Sequence, residues 1–240
     1  ALTPSMGWNS WNCWGLSVDD QKVRDAARMM SEKLHAYGWE YINIDDGWEA
    51  PERTKGGEIL SNDKFPDFKA LTDYIHGLGL KFGIYSSPGA TTCGGHVGSY
   101  QHEEIDARTW ERWGVDYLKY DYCGYLDIEK DSKEETIQEP YIVMRNALDK
   151  VKRDIVFCVG YGAPNVWNWA AEAGGNQWRT TRDITDEWNV VTAIGTFQDV
   201  CADATAPGRN NDPDMLVVGK LGQGWGSKVH DSYLTADEQY

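Results

Sequence analysis

No two of the five cysteines, at positions 13, 93, 123, 158 and 201 of a 240-residue chain, are spaced as CxxC. That spacing argues against the common zinc modules, and on the residues alone one or two disulfides and five buried thiols are both open. No apolar run reaches the length of a membrane span. The opening ALTPSMGWNSW has neither the basic flank nor the apolar stretch of a secretory leader, so it reads as a mature or trimmed start. GxGxxG and GxxxxGK[ST] are both missing, which removes support for a nucleotide-binding sheet. Cations are scarce: 23 Lys and Arg against 38 Asp and Glu leave a net charge of −15. Such a surface repels nucleic acid and anionic lipid and favours a neutral or cationic substrate. Phenylalanine is rare too, 5 against 12 Trp and 13 Tyr. Flat amphipathic rings suit carbohydrate faces, but they are equally ordinary in cores and interfaces.

No Pro/Ser-rich linker or low-complexity tract divides the chain, so residues 1–240 read as one domain. Short β-type runs alternate with helical patterns: WEYINID (39–45), LKFGIYS (80–86), VDYLKYD (115–121), DIVFCV (154–159) and DMLVVG (214–219), with weaker runs at PSMGWNSW and NQWRTT. The first three recur every 35–40 residues or so, the length of a βα unit. Ser17 and Asp20 read as a capping box for the first helix, with Val23, Ala27, Met30 and Leu34 on one stripe and Gly38 as its stop. FPDFKALTDYIHGLG, IDARTWERWG and YIVMRNALDKVK supply further helices, and 127–140 reads as a charged loop or helix start. The expected class is α/β, a (β/α)8 TIM barrel. With seven candidate strands it is one short of eight, so the chain is expected to be a fragment ending before its last strand and helix.

In a parallel barrel the carboxyl ends of the strands and the loops after them carry the chemistry. Here those ends bring Asp45 and Asp46, then Tyr85, then Lys119 and Asp121, then Arg179 and Asp183, then Asp212 and Asp214. Period-two alternation sends Tyr117, Lys119 and Asp121 to one face and Leu118 and Tyr120 to the other, and Tyr41, Asn43 and Asp45 share the first parity. Leucine and the second tyrosine belong against helices, so the charged set points into the barrel mouth. So many charges converging on one rim are hard to explain by stability, because burying unpaired charge is costly. None of the histidines (35, 76, 96, 102, 230) lies at a strand end, which weakens metal hydrolysis, and acyl transfer lacks a nucleophile with a histidine base. Glycoside hydrolysis needs one ionised carboxylate at the anomeric carbon and one protonated carboxyl at the leaving oxygen, and the set supplies both.

GWNSWN, IDDGW, GIYSSPG, TCGG, WGVDYLKYDYC, WRTTRDITDEW and NDPDMLVVG follow one another over about residues 3–228 in an order and spacing that resemble the α-galactosidase family, glycoside hydrolase family twenty-seven. The resemblance implies a barrel with a C-terminal β-domain that this chain lacks, retention of anomeric configuration and no cofactor or metal. It makes Asp121 the nucleophile and Asp183 the acid/base. It sets Asp45 and Asp46 on the O4 and O6 side of a sugar, Lys119 near O3 and O4, and Arg179 on the O2 side. Trp11, Tyr85, Asp214 and Met215 would line the pocket, together with Cys93, which the family pairs with Cys123 in a disulfide. An oxidising setting follows from that pair: secreted, periplasmic or lysosome-like. The implied partner is a galactoside or oligosaccharide, with no nucleic acid or membrane and with room for a homo-oligomer.

Some positions depart from the family pattern. Val159 and Gly160 stand where many α-galactosidases carry an acid and a tryptophan, GIYSSPG replaces the commoner GIYSDAG type, and Gly47 replaces a bridging cysteine, which leaves Cys13 free. The Asp45–Asp46 pair favours an axial O4, so galactose comes first, ahead of N-acetylgalactosamine, β-L-arabinopyranosides and isomaltosyl units. A retaining enzyme sets its carboxyls about 5–5.5 Å apart. Two charges there repel by roughly 3 kcal/mol, so Asp183 is expected to hold its proton while Asp121 is ionised, with Lys119 favouring that ionised form.

Overall fold

The structure, a computed structural model, describes residues 2–131, 133–162 and 165–239. Seven strands, β1 (Gly7–Asn9), β2 (Tyr41–Asn43), β3 (Lys81–Ser86), β4 (Tyr117–Tyr120), β5 (Val156–Val159), β6 (Gln177–Arg179) and β7 (Asn210–Asp212), form one all-parallel sheet in chain order. Helices α1 (Trp11–Trp14), α2 (Asp20–Lys33), α3 (Phe68–Gly77), α4 (Glu103–Trp113), α5 (Glu134–Leu148), α6 (Val166–Trp169), α7 (Trp188–Phe197) and α8 (Ala236–Gln239) complete the chain. Parallel neighbours require crossovers, and strict sequential order is that of a (β/α) barrel. The sheet curls until its two ends approach. The amide of Gly208, just before β7, donates to Leu2 O at 3.3 Å, and that of Gly222 donates to Asn12 O at 2.7 Å. A small antiparallel ribbon, β8 (Lys220–Leu221) with β9 (His230–Asp231), lies beyond.

Strand parity divides the interior in two. Ile42, Phe82, Ile84, Leu118, Tyr120, Phe157, Val159 and Trp178 face the helices and pack with Val23, Ala27, Phe68, Leu71, Ile75, Trp110 and Met144. Tyr41, Tyr117 and Cys158 face the barrel axis and cluster with Val156, the two tyrosine rings meeting edge to face at 5.7 Å. The expected inward set therefore stands over a small hydrophobic plug.

Four local expectations are corrected. The cap of α2 is Asp19, whose carboxylate accepts from Lys22 N. Ser17 sits two residues too early and donates to Trp14 O instead. Leu34 lies past the helix end and is exposed, so the buried stripe is Val23, Ala27 and Met30. Helix α5 begins at Glu134, inside the 127–140 stretch read as a charged loop or helix start, runs through the buried Pro140 and ends at Leu148, short of the last four residues of YIVMRNALDKVK. The seventh strand is Asn210–Asp212 rather than DMLVVG. Pro213 has no N–H for the ladder and Asp214 takes φ +79°, so the chain leaves the sheet. Leu216 and Val218 end exposed, and only Val217 of that run is buried, beside Ile184, Leu221 and Leu234.

Candidate active site

Asp45 follows β2 with inward parity, and its Oδ2 accepts from Lys119 Nζ at 2.7 Å and from Asn9 Nδ2 at 2.8 Å. Its own amide donates to Ser10 Oγ. Three strands thus meet in one carboxylate, which is buried at 2% exposure. Asp46 cannot share that parity. Instead its amide donates to Asp45 Oδ1, and its carboxylate turns toward the loop after β3, accepting from Thr92 Oγ1 at 2.9 Å and Gly94 N at 2.6 Å. His96 Nδ1 stands 3.0 Å from Asp46 Oδ1.

Asp121 follows β4 on the inward face, half-buried. Its Oδ1 accepts from Tyr122 N and its Oδ2 from the Tyr85 hydroxyl, each at 2.9 Å. Burial pushes this carboxyl above its ordinary value, against the opposing pull of Lys119, Tyr85 and the Tyr122 amide. Burial likewise raises Tyr85, with Asp121 next, so its phenol stays a proton donor to the carboxylate. The ammonium expected beside Asp121 bonds Asp45 instead. Burial works against the charge of Lys119, but Asp45 and then Asp121 carry its value above that of a free lysine.

The Cys93–Cys123 disulfide is present, and Cys93 Sγ lies 3.3 Å from Asp121 Oδ2. Cys13, Cys158 and Cys201 are free thiols. The loops after β3 and β4 touch through glycine: a Cβ on Gly124, at φ +73°, would stand 2.4 Å from Thr91 O. Ser87 Oγ adds a bond to Cys123 O at 2.6 Å. These contacts tie the loop carrying Cys93 to the loop beside the candidate nucleophile.

On the other side, Arg179 ends β6 and is buried at 5% exposure. Its Nη2 donates to Asp183 Oδ1 at 2.9 Å, and its Nη1 lies 3.2 Å from Asp214 Oδ1. Burial opposes its charge, yet Asp214, Asp212 and Asp183 raise its value above that of a free guanidinium. Asp214 Oδ2 accepts from Ile184 N, which pins the loop that holds Asp183. Burial raises the Asp214 carboxyl against the counter-effect of Arg179 and then Lys119. The Asp183 side chain is 91% exposed. Asp121 and Asp183 thus sit in contrasting surroundings, one enclosed by donors and one in solvent on a guanidinium. Trp11 begins α1, its amide donating to Asn9 Oδ1, and Met215 packs on the small cluster around Ile184 and Val217.

Two departures from the family pattern gain a location. Val159 faces the helices and is fully buried, so it presents nothing to the barrel mouth. Gly160 lies on the backbone of β4, where a Cβ would come within 3.0 Å of Asp121 Cα.

Asn9, Thr92, His96 and Glu49 join the site without having been singled out in the sequence. Asn9 shares the inward parity of the GWNSW run, which could have found it; Thr92 and His96 reach Asp46 only through the fold of a loop. Ligand-type atoms of Asp46, Glu49 and His96 lie within 4.8 Å of one another. Asp46, however, already has both oxygens in hydrogen bonds from a hydroxyl, an amide and the imidazole, an arrangement of donors rather than a coordination shell.

Residues 3–236 match the Melibiase_2 family model, described as alpha galactosidase A. The chain belongs to this family. An α-galactosidase of Cyamopsis tetragonoloba is 45% identical over 227 residues, 92% of this chain and 53% of that protein. Alpha-galactosidase A of Cellvibrio japonicus is 43% identical over 234 residues, 91% of this chain and 56% of that one. Among solved structures, alpha-galactosidase I from Mortierella vinacea superposes with a TM-score of 0.86 at 37% identity, covering 91% of this chain and 60% of its own. The chain spans about half the length of the curated relatives it matches. The likeness accords with the barrel fold that the motifs implied.

Proposed function

We propose that this barrel hydrolyses terminal α-D-galactosyl residues with retention, through a covalent glycosyl–aspartate. The observation that carries the reading is the contrast between Asp121, half-buried with each oxygen on its own donor, and Asp183, exposed on Arg179. In the first step an Asp121 oxygen bonds to the anomeric carbon while the glycosidic C–O bond breaks, and Asp183 gives its proton to the departing oxygen. In the second step Asp183 takes a proton from water, whose oxygen displaces Asp121 and restores the carboxylate. Asp45, Asp46 and Lys119 would receive O4, O6 and O3, and Arg179 would receive O2. Trp11, Tyr85, Cys93, Asp214 and Met215 would complete the wall. The chain's own carboxylates supply both proton and nucleophile, so the step calls for no cofactor. A disulfide at this place fits a secreted, periplasmic or lysosome-like setting.

The test is a panel of aryl glycosides: α-galactoside, α-N-acetylgalactosaminide, β-L-arabinopyranoside and an isomaltosyl donor. The α-galactoside is expected to be cleaved best, and a trapped fluorosugar is expected on the peptide containing Asp121. Cleavage of none by a folded barrel that still binds sugar would make it a binding protein, and EDTA-sensitive turnover would point to a metal hydrolase. Asp183→Asn should cost about 10²–10⁴-fold with a poor leaving group and far less with dinitrophenolate, which leaves without a proton. Equal losses on both would remove Asp183 from the acid role.

A further inference from the structure

We propose that Glu49, on the loop after β2, is a neutral carboxylic acid beneath the Asp45–Asp46 pair, and that its neutrality keeps this pair able to hold sugar hydroxyls. The proposal rests on the function given above for that pair. Glu49 is 1% exposed. Its Oε2 accepts from Gly47 N at 3.0 Å, while its Oε1 is buried with no hydrogen-bond partner. An ionised carboxylate offers several acceptor sites, and leaving most of them empty away from water is among the costliest arrangements a fold can adopt. A neutral acid removes most of that penalty.

The charged groups around Glu49 do not restore the balance. Asp45 and Asp46 on its own loop are both anionic neighbours. Lys64, farther along the same β2–α3 segment, feels Glu49 but directs its ammonium to Leu16 O at 2.6 Å. His96, from the loop after β3, gives its Nδ1 to Asp46. Burial, followed by repulsion from Asp46, pushes the Glu49 carboxyl well above the ordinary glutamate value. Ionising it would set a third negative charge against two carboxylates that must accept hydroxyl protons. Its role is therefore positional: it touches no reacting atom and acts through Asp46.

The sign of the pH effect follows from linkage. The folded protein keeps this proton to higher pH than the unfolded chain, in which glutamate titrates near ~4.3. Its contribution to stability is therefore greatest at acid pH and is lost as pH rises from the unfolded value toward the folded one. Glu49→Gln, which mimics the neutral acid in shape, does not titrate. The melting temperature of E49Q should match that of the parent protein at pH 4 and exceed it progressively, by roughly 3 °C or more at pH 8. With an aryl α-galactoside, the parent's KM should climb on the alkaline side with kcat little affected, and E49Q should flatten that climb. A Tm of E49Q below the parent's at pH 8 would overturn the proposal, as would a Tm gain of the parent on adding Zn²⁺ that E49Q abolishes. Either result would mean a charged Glu49 with a partner. The melting series needs no turnover, so loss of the α-galactosidase reading and loss of this one give different outcomes.

Discussion

Asp121 has its two oxygens on two different donors, a backbone N–H and the Tyr85 phenol. Hydrogen bonds to the ionised form favour it, but burial is the larger influence and the carboxyl lies above its ordinary value. The acid limb of kcat/KM should therefore fall above the ~3.9 of a free aspartate. Tyr85→Phe removes one of the groups holding the charge, so the limb should move to higher pH. A hydrogen bond to a charged group is worth about 1.5–3 kcal/mol, which corresponds to a loss on the order of 10–100-fold in kcat. A pH–rate profile of Y85F with an unshifted limb would place the phenol outside the reaction. At this scale the sequence was legible in part: period-two parity aims Lys119 and Asp121 inward, and it does so correctly. It could not choose their partners. Lys119 bonds Asp45, 74 residues away, because β3 lies between β2 and β4 and the lysine reaches across it.

Between elements, the loops are held by side chains that belong to none of the strand ends. Arg53, in the segment between β2 and α3, donates to Asp106 of α4 at 2.7 Å and to Gly98 O at 2.7 Å. It thereby clamps the loop that carries Thr92, Cys93 and His96. Asp106 is fully buried, and burial raises its carboxyl against the counter-effect of Arg53. Arg53→Met should leave that carboxylate uncompensated at a cost of about 3–5 kcal/mol, readable by urea denaturation, with activity falling as the loop loosens. Full stability in R53M would show the pair to be dispensable. The cap of α2 offers a smaller contrast: Asp19→Ala should cost about 1 kcal/mol and Ser17→Ala within about 0.5 kcal/mol. Helix existence was readable from the 3.6-residue stripe. Which of three neighbouring polar residues caps it was not, because Ser17 is drawn into a turn of its own.

At the largest scale, the described residues build a sheet of seven parallel strands whose ends converge, with the Cys93–Cys123 disulfide stapling two of its loops across 30 residues. A closed loop of that length is worth roughly 3–4 kcal/mol in the chain-entropy picture. Reduction with dithiothreitol should lower Tm and, because Cys93 Sγ touches Asp121 Oδ2, should lower turnover at temperatures well below the new Tm. Unchanged turnover in the reduced, folded protein would confine the bridge to stability. The net charge of −15 makes a second demand. Raising salt from 0.01 to 0.15 M shortens the Debye length from about 30 to 8 Å, screens self-repulsion and should raise Tm. A fall would mean that attractive surface pairs outweigh the net charge.

Composition, strand and helix periodicity and the order of seven motifs were enough to determine an α/β barrel, an acidic surface and a rim of carboxylates, because these follow from local alternation and from charges counted along the chain. DMLVVG misled for the same reason: its apolar run has a strand's composition, while Pro213 and the left-handed Asp214 take it off the sheet. Tertiary structure alone decided that Lys119 serves Asp45, that His96 and Thr92 hold Asp46, that Val159 turns away from the mouth and that Glu49 is buried with its Oε1 unpartnered. Each of these depends on which loops a curled sheet brings face to face, and distance in space is not written in distance along the chain.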